Sequence, residues 1–459
     1  MPTQLADRPG GLLRRPHRTL TLSVLVMMTA FGFEGLGVAT AMPTIAESLG
    51  GFDLYPWAFN SYLIASLIGT VVASELMKRT GLRRTLLLGS ALFVTGAVAA
   101  GMAWSMPALL AARAAQGLGG GMTLVSMYVV VGRGYPEQLR PRGFALLGTA
   151  WAIASIIGPA IAGYLSDHVS WRAVFLAIPP ALALPVLVLA VRTGALDGPR
   201  GPVLRSRLWL ALVAGIGLTL IQTAGTRVAA SSALVALAGL LLVGAALLRL
   251  LPSGTLRAAH GLPTAVLLRG LIGGAFVAAE AFVPLALRVS RGLTSAQAGL
   301  CLTVGAIAWA VGSQCYGLLH GRFSPPAVVR VAAIMVTSSL ITMPLCVLAP
   351  VTPWIFVLPW FVGSAAVGAC FAAINTLTFQ ISETTQQAAN SSALQISDSC
   401  GTVILIALSG AVYQVVLSAN TAGGFPFATI WWALGSIALT GAVLAHRVLP
   451  GRGASDRAP

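Results

Sequence analysis

The sequence predicts an all-α polytopic membrane protein, and three observations predict it. Charged residues make up only 9% of the 459, against roughly 25% in ordinary soluble domains. Apolar residues reach 57% and the mean hydropathy is +0.87. Long uncharged runs recur along the whole chain, each near the ~20 residues that cross a bilayer core. A soluble protein of this size cannot cover its surface with so few charges.

The uncharged runs number fourteen, at approximately 19–42, 56–77, 84–104, 107–131, 143–166, 171–191, 208–225, 231–250, 263–287, 297–319, 327–349, 353–378, 390–416 and 426–447. The runs at 208–225 and 231–250 are the shortest for full spans. Twelve spans with a re-entrant hairpin there is therefore the competing arrangement. The formal net charge of +16 raises the question of nucleic acid, and the placement of the cations answers it. With an even number of spans and the N-terminus inside, all but five of the 28 Lys and Arg fall in cytoplasmic segments. Arg172, Arg227, Arg288 and Arg291 lie outside and Arg113 lies within a span. That asymmetry sets orientation during insertion, so it predicts a multi-pass plasma (inner) membrane protein with both termini cytoplasmic. No nucleic-acid partner is expected. Arg14, Arg15 and Arg18 before an apolar run ending in Ala39-Thr40-Ala41 mimic a secretory signal; Glu34 within the run and thirteen spans behind it favour an uncleaved first helix. Cys301, Cys315, Cys346, Cys370 and Cys400 are odd in number and scattered, giving neither a disulfide framework nor a metal site.

An internal echo is present. "GTVVASELMKRTG" from Gly69 and "GSQCYGLLHGRFS" from Gly312 align Gly69 with Gly312, Leu76 with Leu319 and Arg79 with Arg322. Such repeats are common in transporters. The same offset carries Glu34 to within three residues of Glu280, nearly one helical turn, so the two acids are expected to face the same way. The domain reading is a cytoplasmic tail at 1–18, a six-helix bundle at 19–192, a linker with two additional helices at 193–260, a second six-helix bundle at 261–450, and a tail at 451–459.

Several chemistries are excluded. A nucleotide-binding P-loop needs Gly-x-x-x-x-Gly-Lys-Ser/Thr, and the single lysine, Lys78, stands in "ELMKRTG". Five isolated histidines lack zinc spacing. The run "GLGGG" at 117–121 lacks dinucleotide spacing and follows no strand; Gly117 and Gly121 form instead a Gly-x-x-x-Gly face for close helix packing. The chain is not expected to be an enzyme or to need a cofactor or metal.

Four stretches carry a family resemblance. Glu34 and Pro43 stand nine residues apart in "EGLGVATAMP", where the family pattern runs from Asp to Ala-Leu-Pro. "RAAQGLGGG" from Arg113 matches Arg-x-x-Gln-Gly-x-Gly. "ASIIGPAIAG" from Ala154 is similar to Gly-x-x-x-Gly-Pro-x-x-Gly-Gly, with Ala154 and Ala162 for two glycines. "WRAVFLAIPP" from Trp171 is similar to Trp-Arg-Trp-x-Phe-x-x-Asn-x-Pro, with Ile178 at the Asn. Across about residues 19–190 the chain thus resembles the major facilitator superfamily, in its fourteen-span drug:proton antiporter branch. The resemblance implies two six-helix bundles that rock around a central cavity, and a monomer. One departure stands out. The loop after the second span usually reads Gly-x-Leu-x-Asp-Arg-x-Gly-Arg-Arg, and here Lys78 takes the place of the Asp, followed by Arg79, Gly81 and Arg83. If that Asp holds a conformational charge pair, Glu75, one turn back, is the available substitute.

Physics points to the same residues. A charge at the centre of a span costs about 2.5–3.5 kcal/mol on insertion scales. An isolated Glu avoids most of that by staying protonated, because desolvation disfavours its charged form. Glu34 is therefore expected to carry protons, with Glu280, Asp398 and Arg113 as further proton-coupling residues. Glu34, Gln116, Phe31 and Phe276 are expected to meet substrate in the cavity, with Phe33 and Phe282 as further aromatics. Gly158, Pro159, Lys78, Arg79, Gly81 and Arg83 are expected to act in the conformational change. Two or three acids against one arginine suit cationic or neutral amphiphiles over anions. The expected function is proton-driven export of amphipathic small molecules such as drugs or secondary metabolites. The alternatives are a proton-coupled metabolite importer, or a lipid-translocating or sensor protein on the same scaffold.

Overall fold

The computed structural model describes residues 12–15, 17–136, 139–196, 205–225, 230–293, 295–318, 322–349, 352–382, 387–418 and 424–449. The tails at 1–11 and 450–459, the linker at 197–204, Arg227 and Leu319 lie outside the described residues. Among the described residues, fourteen helices are long and apolar enough to cross a membrane. They are α1 (Arg18–Ser48), α2 (Phe52–Thr80), α3 (Leu82–Gly101), α4 (Met106–Gly134), α5 (Arg142–His168), α6 (Trp171–Arg192), α7 (Ser206–Gly225), α8 (Ser232–Leu250), α9 (Leu262–Arg291), α10 (Gln297–Leu318), α11 (Pro325–Leu348), α12 (Trp354–Thr378), α13 (Asn390–Leu417) and α14 (Phe425–Val448). In hydrocarbon every backbone polar group must be satisfied within its own segment, which selects helices. Hydroxyls follow the same rule: Thr40 donates to the Leu36 carbonyl at 2.9 Å, Thr70 to Ser66 at 2.9 Å and Thr123 to Gly119 at 2.9 Å.

Local chemistry sets several helix ends. Ser105 Oγ accepts from the Ala108 N–H at 3.4 Å at the start of α4, and Ser170 Oγ accepts from the Arg172 N–H at 3.3 Å at the start of α6. Each satisfies a donor that a helix N-terminus otherwise leaves open. Gly81 turns the chain from α2 into α3 at φ +88°, a conformation that costs other residues strain. The short pair at 208–250 forms two membrane-length helices, α7 and α8, so the re-entrant hairpin does not occur.

Helices α1–α6 and α9–α14 pack by one scheme used twice. In the first set α2 and α3 lie on α4, α3 also meets α6, and α1 lies on α5 and α6; in the second, α10 and α11 lie on α12, α11 meets α14, and α9 lies on α13 and α14. The internal echo is built into the backbone. A Cβ at Gly69 would strike the Leu118 carbonyl, and one at Gly121 would strike the Ser66 carbonyl. In the second bundle Gly312 faces the Ala365 carbonyl and Gly368 the Trp309 carbonyl in the same way. Small residues that let backbones touch replace the hydrophobic drive that lipid does not supply.

The bundles meet along two seams, α5 against α10 and α2 against α13, and α7 lies on the second seam. Ile64 and Leu67 of α2 join one buried apolar cluster with Leu218 and Ile221 of α7 and the second bundle. α8 packs on α7 and turns Leu234, Leu241 and Leu248 outward. Their seven-residue spacing makes a lipid-facing stripe.

The inter-bundle contacts gather toward the end that carries the α1–α2 turn. A Cβ at Gly410 of α13 would meet Pro56 Cγ at 3.3 Å, and one at Gly299 of α10 would meet Thr40 Cγ2 at 3.4 Å and Pro159 Cβ at 3.7 Å. Asn60 of α2 completes this seal: its amide donates to the Val403 carbonyl of α13 at 3.3 Å and to Gln222 Oε1 of α7.

Candidate functional site

The close fit of α4 on α2 brings Arg113 against the first two helices. Gly117, one turn beyond Arg113, sets its face on the Tyr62 carbonyl. Arg113 Nε then donates to the Ala58 carbonyl at 3.2 Å, and its guanidinium carbon lies 4.6 Å from the Tyr62 ring centroid. Nη1 donates to Gln116 Oε1 at 2.8 Å and to the Glu34 carboxylate of α1. Glu34 is 1% exposed and Arg113 3%.

This corrects the reading of Glu34 as an isolated acid. It is neutralised by an ion pair, and the guanidinium has further acceptors that offset its desolvation. A buried pair of this kind persists because losing one member strands the other charge. Tyr62, which the sequence reading passed over, also interacts with the Glu34 carboxylate.

Glu280 sits differently. It is partly exposed on α9 and has no ion pair or hydrogen bond among the described residues. Asp398 of α13 faces Arg269, one of the cations that the span assignment places in cytoplasmic segments. Arg269 lies inside α9, 8% exposed, with Nε 3.6 Å from Asp398 Oδ2. The signal was available, since position 269 falls within the ninth uncharged run as drawn.

Three expected cavity residues are packed away in this conformation. Phe31 is 5% exposed and lies 4.3 Å from the Phe93 ring; Phe276 is 1% exposed and stacks on Trp360 at 4.7 Å with planes 10° apart. Gln116 is fully buried. Rings of this size gain more from helix packing than from an open lumen. Gly158 faces Phe33 and Leu36 of α1, and Pro159 faces Gly299 across the α5–α10 seam. Lys78 Nζ lies 2.7 Å from Glu75 Oε1, so the carboxylate missing from the loop comes from one turn back. Arg79 and Arg83 are exposed.

The sequence model of the Major Facilitator Superfamily matches residues 21–279. An uncharacterised transporter of the same type from Mycobacterium tuberculosis is 31% identical over 334 residues, covering 69% of this chain and 48% of that protein. The chain thus spans about half the length of that relative. A multidrug transporter protein of Bacillus subtilis is 31% identical over 179 residues, 39% of this chain and 32% of that one. Among solved structures, a D-xylose–proton symporter superposes with a TM-score of 0.70 at 13% identity over 94% of this chain and 98% of that one. The fold, the repeated packing and the family match agree: this chain belongs to the major facilitator superfamily.

Proposed function

We propose that this chain is a proton-coupled exporter of amphipathic, cationic or neutral small molecules that works by alternating access. The observation that carries the proposal is the buried Glu34–Arg113 pair. Protonating Glu34 would release Arg113 to Gln116 and the Ala58 carbonyl, and ionising it would restore the pair, so proton binding is linked to the packing of α1 on α4. Glu280, without a partner, is the acid on which a cationic substrate and a proton compete. The multidrug names of relatives support this substrate class. With cytoplasmic termini the seal at Asn60, Pro56 and Gly299 lies outside, and the structure represents an inward-facing state. The two acid-bearing domains at 19–192 and 261–450 are then the rocking units in a plasma-membrane monomer.

The driving force is adequate: about 2.3 kcal/mol per charge per 100 mV plus about 1.36 kcal/mol per pH unit. The test uses proteoliposomes with an imposed pH gradient and labelled tetraphenylphosphonium. Counterflow of protons and probe that Glu34→Gln abolishes supports the proposal. Probe and protons moving the same way would make the protein an importer, and neither flux would make it a sensor.

A further inference from the structure

The glycine run at 117–121 has one member that the approach of neighbouring backbones does not explain. Gly117 and Gly121 set α4 on the Tyr62 and Ser66 carbonyls of α2, and Gly119 sets it on α3, where a Cβ would strike the Phe93 amide nitrogen. At Gly120 the nearest atoms belong to side chains. A Cβ there would lie 2.7 Å from the Tyr62 hydroxyl oxygen, 3.3 Å from Tyr62 Cζ and 3.4 Å from Phe93 Cδ2. The side chain missing at 120 is the space in which the Tyr62 hydroxyl sits.

That hydroxyl is held against the buried ion pair. The Gly117 contact fixes the Tyr62 backbone, so two side-chain torsions alone place the ring. The hydroxyl donates to the Glu34 carboxylate, and Glu34 and Arg113 are the charged groups that act on it. The Arg113 guanidinium carbon lies over the same ring, 4.6 Å from its centroid. Burial separates the members of this cluster. Glu34 is 1% exposed, Arg113 3% and Gln116 fully buried, whereas Tyr62 is half-buried. Tyr62 also stands two positions further along α2 than Asn60, on the unsealed side of that contact. Of the groups gathered at the pair, Tyr62 is the one that water reaches.

A carboxylate shut this far from water needs a carrier for its proton, and a hydroxyl both donates and accepts. We infer that Tyr62 is the relay through which Glu34 exchanges its proton with water in the lumen, and that Gly120 is the residue that leaves room for it. The transfer balances. The Tyr62 O–H bond breaks as its proton passes to a Glu34 oxygen and forms the O–H of the carboxylic acid. A hydronium ion in the lumen gives the phenol oxygen a new proton and departs as water. The phenol begins and ends neutral, Arg113 stays charged throughout, and release runs the same steps in reverse. The relay deepens the proton-coupling reading and rests on Glu34 as its proton site.

The test uses the full chain and two readouts. The first is infrared spectroscopy in nanodiscs after rapid acidification, timing the carbonyl band of protonated Glu34, which is assigned by its loss in Glu34→Gln. Tyr62→Phe keeps the ring on Arg113 and should slow the band about a hundredfold, the low end of what a positioned proton-transfer group contributes. Gly120→Ala keeps the tyrosine, displaces its hydroxyl and should slow the band as well. The double variant should be no slower than Tyr62→Phe. The second readout is labelled tetraphenylphosphonium in proteoliposomes. Movement driven by a pH gradient should fall in Tyr62→Phe, while exchange of labelled for unlabelled probe at equal pH, which needs no proton transfer, should hold. An unchanged infrared rate in Tyr62→Phe would overturn the relay, and so would absence of the Glu34 band from the unmodified protein. Equal loss of driven movement and equal-pH exchange would make the hydroxyl a packing group and overturn it too. Either variant decides alone if the other fails to fold. A protein that moves no protons with the probe, yet shows the band slowed by Tyr62→Phe, would sink the export reading and leave the relay standing.

Discussion

The two bundles place the same backbone around different chemistry. Leu118 and Gly121 of α4 have counterparts at Ala365 and Gly368 of α12, each 247 positions later, in the same carbonyl contacts. At that offset Arg113 corresponds to Trp360. Its partner on α1, Glu34, is answered on α9 by Phe276. The first bundle therefore joins its first and fourth helices by a buried ion pair, and the second joins the equivalent helices by a 4.7 Å aromatic stack. An aromatic stack is insensitive to protons and holds one arrangement. An ion pair has two, because one partner can be protonated. Packing was duplicated between the halves, while among the described residues the contact joining the first and fourth helices is an ion pair in the first half and an aromatic stack in the second. Glu280, one turn beyond the stack, is consequently not the counterpart of Glu34 that the echo implied.

The largest effect should come from Arg113→Leu. It strands Glu34, and breaking a buried pair this way costs about 3–5 kcal/mol, measured as a fall in thermal unfolding temperature in detergent. The double replacement Glu34→Leu with Arg113→Leu, which gives the first bundle an apolar joint like the second, should recover most of the stability and none of the coupled transport. If the double variant still exchanges protons for substrate, the contrast between the halves has no functional meaning.

Next in size, Gln222→Leu should weaken the seal where α7 lies on α2. Losing the Asn60 partner costs about 1 kcal/mol and should raise accessibility of a cysteine placed at Pro56, with the α5–α10 seam unaffected. Lys78→Met should cost about 1 kcal/mol: the Lys78 side chain is 36% exposed and partly screened by water, but the change takes one ion-pair partner from Glu75, whose side chain is 1% exposed. Smallest, Glu280→Gln removes an acid without a partner, so unfolding should shift by less than ~0.5 kcal/mol while uptake of tetraphenylphosphonium falls and that of a neutral amphiphile holds. A stability loss comparable to that of Arg113→Leu would mean Glu280 is a packing residue.

Membrane character, fourteen spans and the glycine faces were legible because they depend on composition and short spacing. The resemblance in the first half was legible for the same reason: "RAAQGLGGG" and "GPAIAG" are local strings. Arg269 escaped notice because it stands near a span edge, where a sequence reading assigns a cation to the interface. Only the π-helical turn at Arg269–Gly273 and the contact of Gly270 with Ser397 of α13 pull it inward. Phe31 and Phe276 were read as lumen residues because an aromatic on a span has no address until its neighbours are known.

What the sequence by itself determined is which segments enter the bilayer and which small residues allow them to touch, because solvation and backbone satisfaction are properties of each segment alone. Which charges pair, and which remain open, was decided only by the tertiary structure. Glu34 and Arg113 are 79 positions apart, Arg269 and Asp398 further still. An ion pair depends on ångström-scale proximity between different helices, and no window of the chain contains that distance.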